Sequence, residues 1–132
     1  MTKSQKWIKG LNAHFPWILM MFLITIESAI SGALLQIEMI AGLDKLIHFM
    51  IFGLLGWLLS RGAWKSNNPF LIRNFVWIVP FIAACFAVSD EIHQALIPGR
   101  FPDPFDWLAD ICGVILFMIL FKKKNFRVQA KV

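Results

Sequence analysis

Four apolar runs recur every 25 to 30 residues along this chain, and nothing else in it constrains the fold as strongly. They cover about residues 15–35 (FPWILMMFLITIESAISGALL), 44–60 (DKLIHFMIFGLLGWLLS), 73–96 (RNFVWIVPFIAACFAVSDEIHQAL) and 104–121 (PFDWLADICGVILFMILF). Each approaches the roughly 20 residues a helix needs to cross about 30 Å of hydrocarbon. A 132-residue chain with only 16% charged residues is also far from the roughly 25% of a soluble domain. The expectation is an all-α polytopic membrane protein, a single domain built as a bundle of four transmembrane helices.

Charge gives the orientation. Lys3, Lys6 and Lys9 precede the first run, Arg61, Lys65 and Arg73 surround the 61–73 loop, and Lys122, Lys123, Lys124, Arg127 and Lys131 follow the last. No acid accompanies these eleven. Glu38, Asp44, Asp90, Glu91, Asp103, Asp106 and Asp110 lie on the other side with Lys45 and Arg100, and Glu27 lies inside the first span. The positive-inside rule then puts both termini in the cytoplasm. The formal charge of +5 is a topology signal and not a nucleic-acid footprint. Lys3, Lys6 and Lys9 before an apolar stretch also resemble a secretory signal, but the stretch is too long and carries Glu27. Cys85 and Cys112, both in apolar sequence, read as buried free thiols.

The acids concentrate in SDEIHQALIPGRFPDPFDWLAD, residues 89–110, which holds five of the eight. A third helix starting near Phe75 reaches the outer boundary only around Ala95, at 1.5 Å per residue. Ser89, Asp90, Glu91, His93 and Gln94 are therefore sunk into the outer leaflet, where polar groups face the bundle interior. Asp90, His93 and Gln94 share one helical face, as do Asp44 and His48, and Asp106, Asp110 and Gly113. These three helix ends predict an outward-facing polar pocket among spans two, three and four.

Local roles compete for some of these residues. Asp103 before Pro104 suits an N-cap, and Asp44 suits one for span two. Pro98-Gly99 suits a tight turn. Asp90, His93 and Asp110 have no such local explanation. Glu27 has no cation in its own span.

At these positions the chain resembles the VanZ-like family of membrane proteins. The resemblance lies in DKLIHF opening span two, FGLLGWLL after it, and SDEIHQALIPGRFPDPFDWLADICG, over about residues 43–121. It carries Asp44, Lys45, His48, Asp90, Glu91, Gln94, Pro98, Gly99, Arg100, Asp106 and Gly113 as motif positions. Asp110 departs from it, since asparagine is frequent there. The resemblance implies a multi-pass protein of the bacterial cytoplasmic (inner) membrane. It also implies an association with low-level resistance to the glycopeptide teicoplanin, without implying a reaction.

Two readings stand at this point. In the first, the pocket binds a membrane lipid, a lipid-linked cell-wall precursor or a lipoglycopeptide. Its residues are then Asp44, Lys45, His48, Asp90, Glu91, His93, Gln94, Arg100, Asp106 and Asp110, with Lys45 and Arg100 meeting phosphate or carboxylate. In the second, the protein is a small intramembrane enzyme with His48, Asp90 and Glu91 as catalytic candidates. Asp90, His93, Asp106 and Asp110 then hold a divalent cation, whose preferred ligands are of these kinds.

Overall fold

The computed structural model describes residues 3–30, 42–100 and 102–129. They form four helices: α1 (Lys3–Ser28), α2 (Leu43–Lys65), α3 (Pro69–Ala95) and α4 (Pro104–Gln129), with no strand among them. Each contains a segment long and apolar enough to cross a membrane: Trp7–Ser28, Leu43–Lys65, Pro69–Ala95 and Pro104–Asn125.

The first segment begins eight residues before the sequence-based boundary at 15, and α1 ends before 35; residues 31–35 lie outside the described residues. The polar groups that lower the apparent hydropathy of its start are satisfied by packing. Arg61 donates to the Asn12 carbonyl and to Asn12 Oδ1, both at 2.9 Å, and Trp17 Nε1 donates to His14 Nδ1 at 3.2 Å. Span two likewise runs five residues past Ser60, to Lys65.

Helix ends follow local chemistry. Asn68 caps α3, its Oδ1 accepting from the Phe70 amide with Pro69 at the first helical position. Asp103 does the same for α4, accepting from the Phe105 amide at 2.9 Å. Asp44 does not cap α2. The helix starts one residue earlier, after Gly42 at φ 89°, and no side chain caps it. Pro98-Gly99 makes the expected turn: the Arg100 amide donates to the Ile97 carbonyl, and Gly99 takes φ 79°, which favours glycine. α3 stays helical through Pro80.

α2 is the centre of the bundle, packed on α1, α3 and above all α4. It is apolar around its whole circumference: one side packs on the other helices, and Leu46, Ile47, Met50 and Leu54 stay exposed on the outer surface. Phe52, Leu55 and Leu59 of α2 join Val79 and Ala83 of α3 and Val114 and Met118 of α4 in one core. Small residues set the α2–α4 distance, as is usual where lipid cannot drive helices together. A Cβ on Gly56 would lie 2.8 Å from Val114 Cα, and one on Gly113 would collide with the Phe49 carbonyl oxygen. In so small a bundle few positions are interior. Cys85 and Cys112 are free as expected, but both face outward instead of being buried.

Candidate functional site

The helices alternate in direction, so the end of α1, the start of α2, the end of α3 and the start of α4 meet at one end of the bundle. The polar residues from residues 27–28, 44–48, 90–100 and 103–110 interlock there in four groups.

The first group is centred on Lys45. Its ammonium lies 2.6 Å from Asp103, 2.9 Å from Asp106 and 3.2 Å from Asp44, tying the first turn of α2 to the first turn of α4. The hydrogen bond from Lys45, helped by the Phe105 amide, holds the Asp103 carboxyl below the usual carboxylate range.

One turn deeper, His48 Nδ1 lies 3.1 Å from Asp110 Oδ1. The close approach at Gly113 makes this pair possible, since Gly113 is one turn along α4 from Asp110 and packs on the residue after His48. Asp110 is 1% exposed. A carboxylate there accepts from Nδ1–H, which fixes the ring and leaves the Nε2 of a neutral imidazole as an acceptor. His48 Nε2 has no partner among the described residues.

A third group joins α1 to α3. Ser28 donates to Asp90 Oδ1 at 2.6 Å and Gln94 donates to Asp90 Oδ2 at 2.9 Å. All three are buried, and the two Asp90 oxygens each accept from an uncharged donor. The i, i+4 spacing of Asp90 and Gln94 foretold their shared face. Ser28 carried no signal in the sequence beyond its place at the end of an apolar run.

At the rim, Arg100 donates to Glu27 Oε1 at 2.8 Å and to the Glu27 and Ile30 carbonyls. Glu27 thus finds its cation in the loop after α3, not in its own span. Glu91 accepts from the Asp103 amide at 3.1 Å, stitching α3 to α4.

The expected pocket residues therefore come to one end of the bundle, with α1 contributing Glu27 and Ser28 to the expected set from spans two to four. The four metal candidates are not grouped: Asp90 turns to α1, Asp106 to Lys45 and Asp110 to His48. The His93 Nδ1 is buried without a hydrogen-bond partner among the described residues. Among the described residues no three His, Cys, Asp or Glu side chains are placed to hold a metal ion. Lys45 and Arg100 are both engaged by carboxylates, which leaves the end of the bundle strongly acidic.

Four helices long and apolar enough to cross a membrane, with polar side chains clustered at one end of the bundle, define the class of protein. The chain belongs to the VanZ/LLP1 family, whose model matches residues 3–127, nearly its whole length. No curated protein and no solved structure matches it.

Proposed function

We propose that this protein is a binding module of the bacterial cytoplasmic membrane. Its acidic end, facing away from the cytoplasm, holds the head group of a lipid-linked or lipophilic envelope ligand and so alters susceptibility to teicoplanin-type glycopeptides. The observation that carries this reading is the convergence of one end of each helix on a single polar cluster, bonded from helix to helix. Polar groups inside membrane-spanning segments are costly and mark sites. The cluster is also anchored on every helix, which suits a preorganised receptor more than a solvated lip.

The test has two arms. Native mass spectrometry of protein extracted with its lipids identifies what the bundle retains. Glycopeptide susceptibility of cells expressing the wild type, Asp90→Asn and Arg100→Ala then asks whether the site matters. A site that retains no lipid, with variants matching wild type in susceptibility at equal protein level, ends the proposal.

One observation favours a second reading, an intramembrane enzyme on lipid-linked substrates. The His48–Asp110 pair has the arrangement of an oriented general base, in which Nε2 would take a proton from an attacking water. Asp110→Asn retains an acceptor but weakens the base, so it lowers turnover far more than retention. Incubating membranes with the purified protein and following lipid products by mass spectrometry separates the two readings.

A further inference from the structure

The end of the bundle opposite the acidic cluster belongs to cations alone. Residues 1–26, 45–89 and 111–132 contain no Asp or Glu. Lys9 of α1, Lys65 of α2, Arg73 of α3 and Lys122, Lys123 and Lys124 of α4 are all exposed there. The helix dipole explains Lys65, in the last turn of α2. It does not explain the three lysines of α4, because that helix continues to Gln129. They stand instead at the close of its membrane-crossing segment, Pro104–Asn125, where basic side chains reach head-group level.

One of these charges is held in place on the α2–α4 seam. Lys124 Nζ lies 5.4 Å from the centroid of the Trp57 ring, within cation–π range. Trp57 is itself fixed edge-on against Phe121, with ring centroids 5.2 Å apart. Along α2 from Trp57, Leu54, Met50 and Ile47 continue one exposed apolar stripe on the same face. From Ile47 to Trp57 the stripe spans about 15 Å at 1.5 Å per residue, half of a hydrocarbon core about 30 Å thick. It is one leaflet deep and ends beneath a cation.

With no acid at this end, only an anion from outside the chain can offset these charges at close range. A free phosphate and the phosphodiester of a lipid share that chemistry, but the apolar stripe below Lys124 selects the lipid. We infer that an anionic phospholipid docks on the α2–α4 seam at the basic end of the bundle, its phosphate beside Lys124 and an acyl chain along Trp57, Leu54, Met50 and Ile47. This seat is separate from the polar cluster at the other end.

The test places the protein in nanodiscs of equal parts phosphatidylglycerol and phosphatidylcholine with the same acyl chains, and native mass spectrometry measures which lipid stays bound. The wild type should retain phosphatidylglycerol preferentially. Lys124→Gln should cut that preference about fivefold, the loss of one cation near an anionic surface. Lys124→Arg keeps the charge and stacks on the indole, so it should restore the preference. Lys9→Gln removes the same charge from exposed α1 and should change the preference little. Equal retention of the two lipids overturns the inference. An equal fall in Lys9→Gln and Lys124→Gln also overturns it, since a diffuse field and no seat on the seam would then attract the lipid. Displacement of phosphatidylglycerol by inorganic phosphate, but not by chloride at matched ionic strength, would make this a site for soluble anions and overturn it as well.

Discussion

Arg100 reaches back 73 positions to Glu27, Nη2 to Oε1 at 2.8 Å, and so fastens the loop after α3 to the end of α1. Asp90 meets the neighbouring Ser28, so two successive residues of α1 receive both the buried acid and the rim cation. A double-mutant cycle on Arg100 and Glu27 should give a coupling of about 0.5–3 kcal/mol in thermal unfolding. Asp90 and Arg100 should couple more weakly, through α1. Fully additive Arg100 and Glu27 effects would mean the pair is too well solvated to matter. Arg100→Ala alone should lower both melting temperature and function, since it leaves Glu27 without its cation.

Asn at 90 or 110 should separate stability from function. Each replacement keeps an acceptor oxygen for Ser28 or for the His48 ring while removing a charge that costs desolvation. On the binding reading, detergent melting should hold or rise while any effect on glycopeptide susceptibility is lost, the trade expected at a functional site. Melting points that fall for both variants, with susceptibility tracking protein level, would make the acids structural.

Gly113→Ala should be among the most damaging conservative changes in the chain. Its methyl would meet the Phe49 carbonyl oxygen, a backbone atom that cannot rotate away. The helices must part, at a cost of about 1–3 kcal/mol typical of overpacking. Separation at this level also stretches the His48–Asp110 bond, so function should fall with stability. Gly10→Ala, where a Cβ meets nothing within 4 Å, is the matched control.

The Lys45 cluster predicts an acid transition. Because Asp103 titrates below its ordinary value in the fold, its contribution is fully present above the unfolded carboxylate pKa. That contribution is lost as pH falls through the lower folded value. Melting temperature followed downward from pH 6 should therefore decline in the wild type and decline less in Lys45→Gln, which has no pair to lose. Parallel curves would place the acid sensitivity elsewhere.

Orientation is open to impermeant thiol labelling in intact cells, in a background lacking Cys85 and Cys112. Cysteine at Pro102 should label, and cysteine at Ser4 or Lys123 should be protected. The reverse pattern would invert the protein in the membrane.

Much of this molecule was legible in the sequence, because hydrophobic runs and charge asymmetry are one-dimensional signals. The number of spans, the Asp103 cap and the turn at Pro98-Gly99 all follow from residues close together in the chain. Helical spacing also brought Asp90 beside Gln94, and Asp110 above Gly113. What spacing cannot supply is the partner across a gap of 60 or 70 residues. Thus Lys45 with Asp103, His48 with Asp110 and Arg100 with Glu27 required the fold. The start of the first span was misplaced for the same reason. Asn12 looks like a boundary residue until Arg61 is seen to satisfy it. The outward-facing cysteines show the limit of hydropathy, which does not distinguish a core from a lipid-facing surface.

The basic flanks and the acidic cluster at opposite ends of one bundle have a consequence for the protein as an electrical object. Set across a membrane, a chain folded this way would be a dipole along the membrane normal, with the candidate site at its acidic pole. A membrane potential acts on each displaced elementary charge with about 2.3 kcal/mol per 100 mV. With the termini on the cytoplasmic side, as the charge pattern predicts, the field of an energised cell would pull the basic pole inward and press the acidic pole toward the outer surface. Collapse of the potential would relax that force on the ends of the helices.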